Sequence, residues 1–281
     1  MFITDNLSCN YFGIENMFKP AYQTKNTVSL SHELTRAVYS LSLNEKRILL
    51  KAAALLDTYG GVDQMIEINA GECAEFYSMD KKSAYGYLSS AAERLWDRTL
   101  LLKDGTRMRW VISSKYIGGS ILLKFHPDLN PHLLDLKTHF TRYLLTRAAN
   151  FKLMYTWRLF ELIMQFKKTG YLKIDLDEFK ETLDIPSAYD KDFGKIREKV
   201  IHPAVAEIRE KDGLSITWKP IKTGRKVTSL EFRFPVEQQH ELFAIDNAFI
   251  EKHAKPGESY ETARKRLTDE QKALAKSADV A

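Results

Sequence analysis

Cysteine is nearly absent from this chain: Cys9 and Cys73 are the two among 281 residues. Cys73 falls in a helical pattern and Cys9 in a loose leading segment, which argues against a disulfide framework and a structural zinc site. The histidines are His32, His126, His132, His139, His202, His240 and His253, and no two form a His-x-His or His-Glu-x-x-His pattern. His126, Asp128 and His132 lie near each other but read, around Pro127 and Pro131, as a polar linker. A Gly-x-x-x-x-Gly-Lys phosphate loop and a nucleophile-elbow serine are both missing. Asp175 and Asp177 suit helix capping better than paired catalysis. The expectation is therefore no enzyme, no catalytic residue, no metal and no cofactor. No apolar run approaches the roughly 20 residues of a membrane span. The first residues lack the basic start and apolar stretch of a secretory leader. A cytoplasmic protein with no membrane partner is expected.

What the chain does have is a repeated order of elements. Residues 66–69 alternate as a strand, 70–76 form a short helix, 78–80 a turn and 81–95 a longer helix. Residues 171–174, 176–183, 185–186 and a basic helix from about 192 repeat that order, and each copy runs on into β-rich sequence. Helix, strand, helix, turn, helix, strands is the order of a winged helix. The predicted fold class is α+β, as two tandem winged-helix domains. The predicted organisation is an N-terminal arm (1–26), a first winged helix (27–130), a second (131–235) and a helical or disordered tail (236–281).

The charge distribution points to nucleic acid. Residues 191–226 hold ten bases and five acids, an excess equal to the formal net charge of +5 for the whole chain. Lys191, Lys195, Arg197 and Lys199 open the basic helix, where a recognition helix meets base edges. Lys219, Lys222, Arg225 and Lys226 surround a glycine-tipped wing over 220–227, which can follow phosphates. In the first copy, Lys81, Lys82, Arg107 and Arg109 are the candidate phosphate contacts. Tyr85, Tyr87 and Trp96 there equally suit a protein interface.

Finer readings follow from local pattern. Residues 31–39 and 45–59 read as helices, the second capped by Asn44. Residues 128–147 read as a connection between the domains, helical at least in part. Residues 155–168 form a helix apolar nearly all round, hence buried. Pro203 is expected to kink the basic helix near His202.

Several short motifs together resemble a known family. They are Ser31-x-x-Leu34-Thr35-x-Ala37-x-Tyr39-Ser40-Leu41-Ser42 with Glu45-Lys46-Arg47; Phe140-Thr141-x-Tyr143; Arg158-Leu159-Phe160-Glu161; and Phe193 to Arg197 followed by Val200-Ile201-x-Pro203-Ala204-Val205-x-Glu207-Ile208. In this order they resemble the iteron-binding plasmid replication initiators, over roughly residues 28–235. The resemblance implies two winged helices that bind double-stranded DNA at directly repeated origin sequences (iterons) as monomers. It implies a homodimer in equilibrium with the monomer, formed mainly through the first domain, that represses the initiator's own gene at an operator or pairs origins. It also implies contacts with the host replication initiator, the replicative helicase and chaperones. The DNA contacts it carries over are Lys195, Arg197 and Lys199, with Glu198 an acidic departure among them. A winged-helix regulator on a palindromic operator is the alternative. A nicking initiator would need the paired histidines this chain lacks, and a pure protein-interaction module would show no salt-dependent affinity for DNA.

Overall fold

The repeated pattern folds into two sheets of one plan. The computed structural model describes residues 26–56, 62–134, 139–189, 192–236, 250, 253–255, 257–267 and 269. Strand β1 (Thr27–Ser31) and helices α1 (His32–Arg36) and α2 (Leu43–Ala53) lead into β2 (Ile66–Asn69), α3 (Ala70–Phe76) and α4 (Lys81–Leu95). Strands β3 (Thr99–Leu101), β4 (Arg107–Arg109), β5 (Val111–Ile117) and β6 (Ser120–Phe125) follow. Next come α5 (Asn130–Leu133), β7 (Phe140–Leu144), α6 (Leu145–Ala148) and α7 (Met154–Gln165). The second copy comprises β8 (Tyr171–Asp175), α8 (Leu176–Leu183), α9 (Phe193–Ile196), α10 (His202–Lys211), β9 (Thr217–Thr223) and β10 (Lys226–Arg233).

The sheet orders are β2-β6-β5 and β8-β10-β9, antiparallel throughout. In both, the strand before the short helix pairs with the last strand of its copy. Alternation explains which side is buried: Ile66 and Ile68 point inward in one copy, Leu172 and Ile174 in the other. The last strand residue then caps the short helix. Asn69 Oδ1 accepts from the Glu72 amide at 3.0 Å, and Asp175 Oδ1 from the Asp177 amide at 2.9 Å. Each copy also turns on a non-glycine residue in left-handed conformation, Ser78 at φ 50° and Asp184 at φ 54°. Ser78→Gly should therefore stabilise the protein by about 0.5–1 kcal/mol, because glycine occupies that region without a Cβ clash. Thermal unfolding should show a midpoint raised by roughly 1–4 °C, and a lowered midpoint would refute the assignment.

Residues 25–237 form one compact unit. Its centre is α7, buried from Thr156 to Met164 as its apolar pattern requires. It packs against α1 and β7 on one side and α8 and α10 on the other. A second pairing ties the ends of the first half together: β1 runs antiparallel to β7, with Val28 opposite Tyr143. The connection over 128–147 is helical in part, at Pro127–Leu129, Asn130–Leu133 and Leu145–Ala148, but it also contains an unexpected strand. Residues 140–144 alternate Thr141 and Tyr143 inward, and that two-residue period with β-branched and aromatic side chains makes a strand. His132 is not linker surface either; it is buried, with Nδ1 2.8 Å from Ser31 Oγ.

Two further expectations change. Ser42, not Asn44, caps α2: Ser42 Oγ accepts from the Glu45 amide at 3.3 Å, and Glu45 Oε2 accepts from the Ser42 amide at 2.8 Å. Helix α1 stops at Arg36, and Val38 then bridges to Leu101. Cys73 is buried in the core, and burial pushes its thiol up to about 11. The other unit comprises 1–24 and 238–281. Its described part holds a helix over 260–267 with Ala263 and Leu267 buried, and an Arg266–Glu258 ion pair at 2.8 Å. Residues 1–25 of the expected arm (1–26) and 237–249 of the expected tail (236–281) lie outside the described residues.

Candidate nucleic-acid interface

The basic helix is continuous from 193 to 211, built of α9, one π-helical turn (Arg197–Ile201) and α10. Asp192 starts it, its Oδ1 accepting from the Gly194 amide at 2.9 Å. Pro203 does not break it. The wider π turn, in which the His202 amide bonds to the Arg197 carbonyl, accommodates the residue that has no amide to give. Ile196, Val200, Ala204 and Ile208 fall at a spacing of four and are buried. The opposite face carries Lys195, Glu198, Lys199, His202, Ala206 and Arg209, all exposed.

The expected cations sort into two groups. Lys195 and Lys199 have no acidic partner among the described residues, so their charges are open to a ligand. Arg197 is half exposed, at 48 %, and pairs with Glu198 at 3.1 Å. Helical spacing sets it to the side of the 195–199–202 row. Lys191 lies outside the described residues. The row adds three residues that the sequence reading left out. His202 can donate or accept, Ala206 can meet a thymine methyl, and Arg209 can grip a phosphate or guanine. Their successive steps of three, four and three onward from Lys199 were the available signal.

The wing is tighter than expected. β9 reaches Thr223 and β10 starts at Lys226, leaving Gly224 and Arg225 as the tip, with Gly224 at φ 63°. Lys219 and Lys222 therefore lie on a strand. Lys219 is held by Glu231 at 3.2 Å, whereas Lys222, Arg225 and Lys226 are exposed with no acidic partner among the described residues. Trp218 on β9 has its ring centroid 5.6 Å from that of His202, which seats the wing's base against the helix. From there the strand runs roughly 17 Å to the tip.

In the first copy α4 occupies the place of the basic helix. Asp80 caps it, its Oδ2 accepting from the Ser83 amide at 3.1 Å. Ala84, Leu88, Ala91, Ala92 and Leu95 are buried, while Lys82, Tyr85, Gly86 and Tyr87 face out. Lys81 opens the helix. Cations farther along are engaged inward: Glu45 accepts from Arg94 Nε at 2.9 Å and from Arg98 Nε at 2.9 Å. Burial acts to raise the Glu45 carboxyl, but hydrogen bonds from Arg98, the Ser42 amide and Arg94 outweigh it and hold it below the usual carboxylate range. Arg107 and Arg109 are exposed but sit on β4, in a hairpin separate from the β5–β6 wing. Arg109 lies over the Trp96 ring at 4.8 Å and donates to the Trp96 carbonyl at 2.9 Å. The first copy thus has less uncommitted positive charge than the second.

Comparison with known proteins matches both copies. A family model described as "Initiator Replication protein, WH1" matches residues 27–164, and one described as "Initiator Rep protein, WH2" matches 175–234. The PI protein of Escherichia coli is 26% identical over 258 residues, covering 76% of this chain and 84% of that protein. An uncharacterised 27.6 kDa protein of Escherichia coli is 22% identical over 227 residues, covering 73% of this chain and 94% of the relative. Among solved structures, the crystal structure of Pi initiator protein in complex with iteron DNA aligns with a TM-score of 0.65 at 26% identity, over 76% of this chain and 99% of that one.

Proposed function

The chain belongs to the initiator replication protein family, and from that premise we propose that it starts plasmid replication by binding directly repeated origin DNA. The observation that carries this is the exposed row of Lys195, Lys199, His202 and Arg209, with an uncommitted basic wing at its side. A relative of matching fold, similar in sequence to this chain, is solved on iteron DNA.

In this reading the second winged helix (131–235) lays its basic helix in a major groove and supplies most of the base discrimination, about 1–3 kcal/mol per good contact. Its wing follows the neighbouring phosphates. The first winged helix (27–130) grips phosphates one turn away through Lys81, Lys82, Arg107 and Arg109, so the footprint is about 20 base pairs. Counterion release drives much of the affinity. The bound protein then bends or loosens an adjacent AT-rich segment, where flexible steps make deformation cheap. This asks no bond breaking of the chain. A dimer would repress the initiator's own gene, and the host initiator, replicative helicase and chaperones are the proposed partners. The setting is the cytoplasm; among the described residues no helix is long and apolar enough to cross a membrane.

Footprinting on the DNA just upstream of the coding gene tests this. Protection of several direct repeats is expected, and a single palindrome would favour a transcriptional regulator instead. Lys222→Ala with Lys226→Ala should flatten the plot of log affinity against log salt by about 2. An unchanged slope would take the wing out of the footprint.

A further inference from the structure

Reading one duplex with two helices requires that the helices keep a fixed offset. Moving a target by one base pair shifts it by about 3.4 Å and turns it by about 34°. The question is what holds the offset in this protein.

Arg158, on the central helix α7, is 2 % exposed. Its Nη2 donates to the Ala37 carbonyl at 2.7 Å, just past α1. Its Nε donates to the Thr182 carbonyl at 2.7 Å, in the last turn of α8. Its guanidinium carbon lies 3.9 Å from the centroid of Tyr39, a ring packed edge-on against Trp110. Ala37, Tyr39 and Trp110 belong to the first winged helix, and Thr182 belongs to the short helix that leads into the second one's basic helix. One planar group thus bonds both halves at once. A second brace lies nearby: Glu178 on α8 accepts from Arg36 Nη1 at 2.6 Å and from Lys103 Nζ at 2.5 Å. Lys103 lies on the turn joining β3 to β4.

An apolar contact would hold the halves together as well, since a buried charge adds little net stability over a well-packed hydrophobic group. Its surfaces could slide, however. A guanidinium with two donors in a rigid fork fixes both partners in distance and direction. We propose that Arg158 is a positioning residue that sets the register between the two DNA-reading surfaces, with Glu178 as the second brace. This rests on the DNA-binding reading above.

The test uses the full chain and a duplex of about 20 base pairs that the wild-type protein selects from a random pool. One and two base pairs are inserted at its midpoint. The wild type should lose about 10-fold or more in affinity per insertion, the size of one lost base contact. In Arg158→Lys the loss should shrink to about 3-fold or less, while affinity for a duplex carrying only the second module's half stays within about 2-fold of wild type. Glu178→Gln, at a half-buried position, should fall between the two and carries the test if Arg158→Lys does not fold. Variants that keep the wild-type insertion penalty overturn the proposal. So does a wild type that binds tightly but ignores insertions, which leaves the DNA reading intact. A wild type that selects no sequence and shows no salt-dependent affinity sinks the DNA reading, and this inference with it.

Discussion

Alanine at Lys195 and Lys199 together should weaken binding to a selected duplex about 100-fold or more, since each good contact carries about 1–3 kcal/mol. The salt dependence should flatten by about 2 in slope as two phosphate neutralisations disappear. The expectation rests on commitment as much as on charge. Both side chains are exposed, neither has an acidic partner among the described residues, and they lie one turn apart on the face opposite Ile196 and Val200. Arg197 already spends part of its field on Glu198 at 3.1 Å. Arg197→Ala alone should therefore lose less than the lysine pair, because Glu198 already offsets part of its charge. Titration of the variants at several salt concentrations decides the matter. Wild-type affinity and slope in the double lysine variant would remove this helix from the interface.

The second large effect concerns stability. Lys46→Met should destabilise the protein by about 3–5 kcal/mol, the usual result of stranding one member of a buried ion pair. Lys46 Nζ lies 2.9 Å from Glu161, with side chains 2 % and 0 % exposed, and donates to Tyr39 Oη at 2.7 Å. Glu161 also accepts from Tyr143 Oη at 2.9 Å. Methionine fills the space of the lysine stem but takes away the carboxylate's close cation, leaving only Arg158 Nη1 at 3.9 Å. Adding Glu161→Gln removes the uncompensated charge and keeps the tyrosine bond, so the double variant should recover at least about 2 kcal/mol. Urea unfolding of the wild type, both single variants and the double variant gives the coupling directly. A loss below about 1 kcal/mol in Lys46→Met would mean that water reaches the pair.

Much of this was legible in the residues themselves. The two copies, their short and long helices, the cap at Asp175, and the burial of α7 all follow from periodicity and local chemistry. The clustering of exposed cations on the helix from 193 and on the wing was legible too, because charge excess survives any folding detail. What could not be read depends on distant partners. Lys46 and Glu161 lie 115 positions apart, so two separate motifs gave no sign that they answer each other. The strand at 140–144 was missed because its register is written in β1. The choice of Ser42 over Asn44 turned on where the chain enters the helix. That the helix would run on through Pro203 by way of one wider turn was not legible either. Sequence located the cations but could not say which were already engaged: Arg109 by Trp96, Lys219 by Glu231 and Arg197 by Glu198.

The pairing of β1 with β7 also sets a timetable. Ser29 and Arg142, bonded across those strands, are 113 residues apart. A ribosome adding 5–20 residues each second makes the later one roughly 6–23 s after the earlier. Through that interval the newborn β1 carries an open edge, the kind of surface that invites pairing with other chains. The sheet β2-β6-β5 can close once residue 125 is made, so β1 alone must wait for its partner until the connecting segment has emerged.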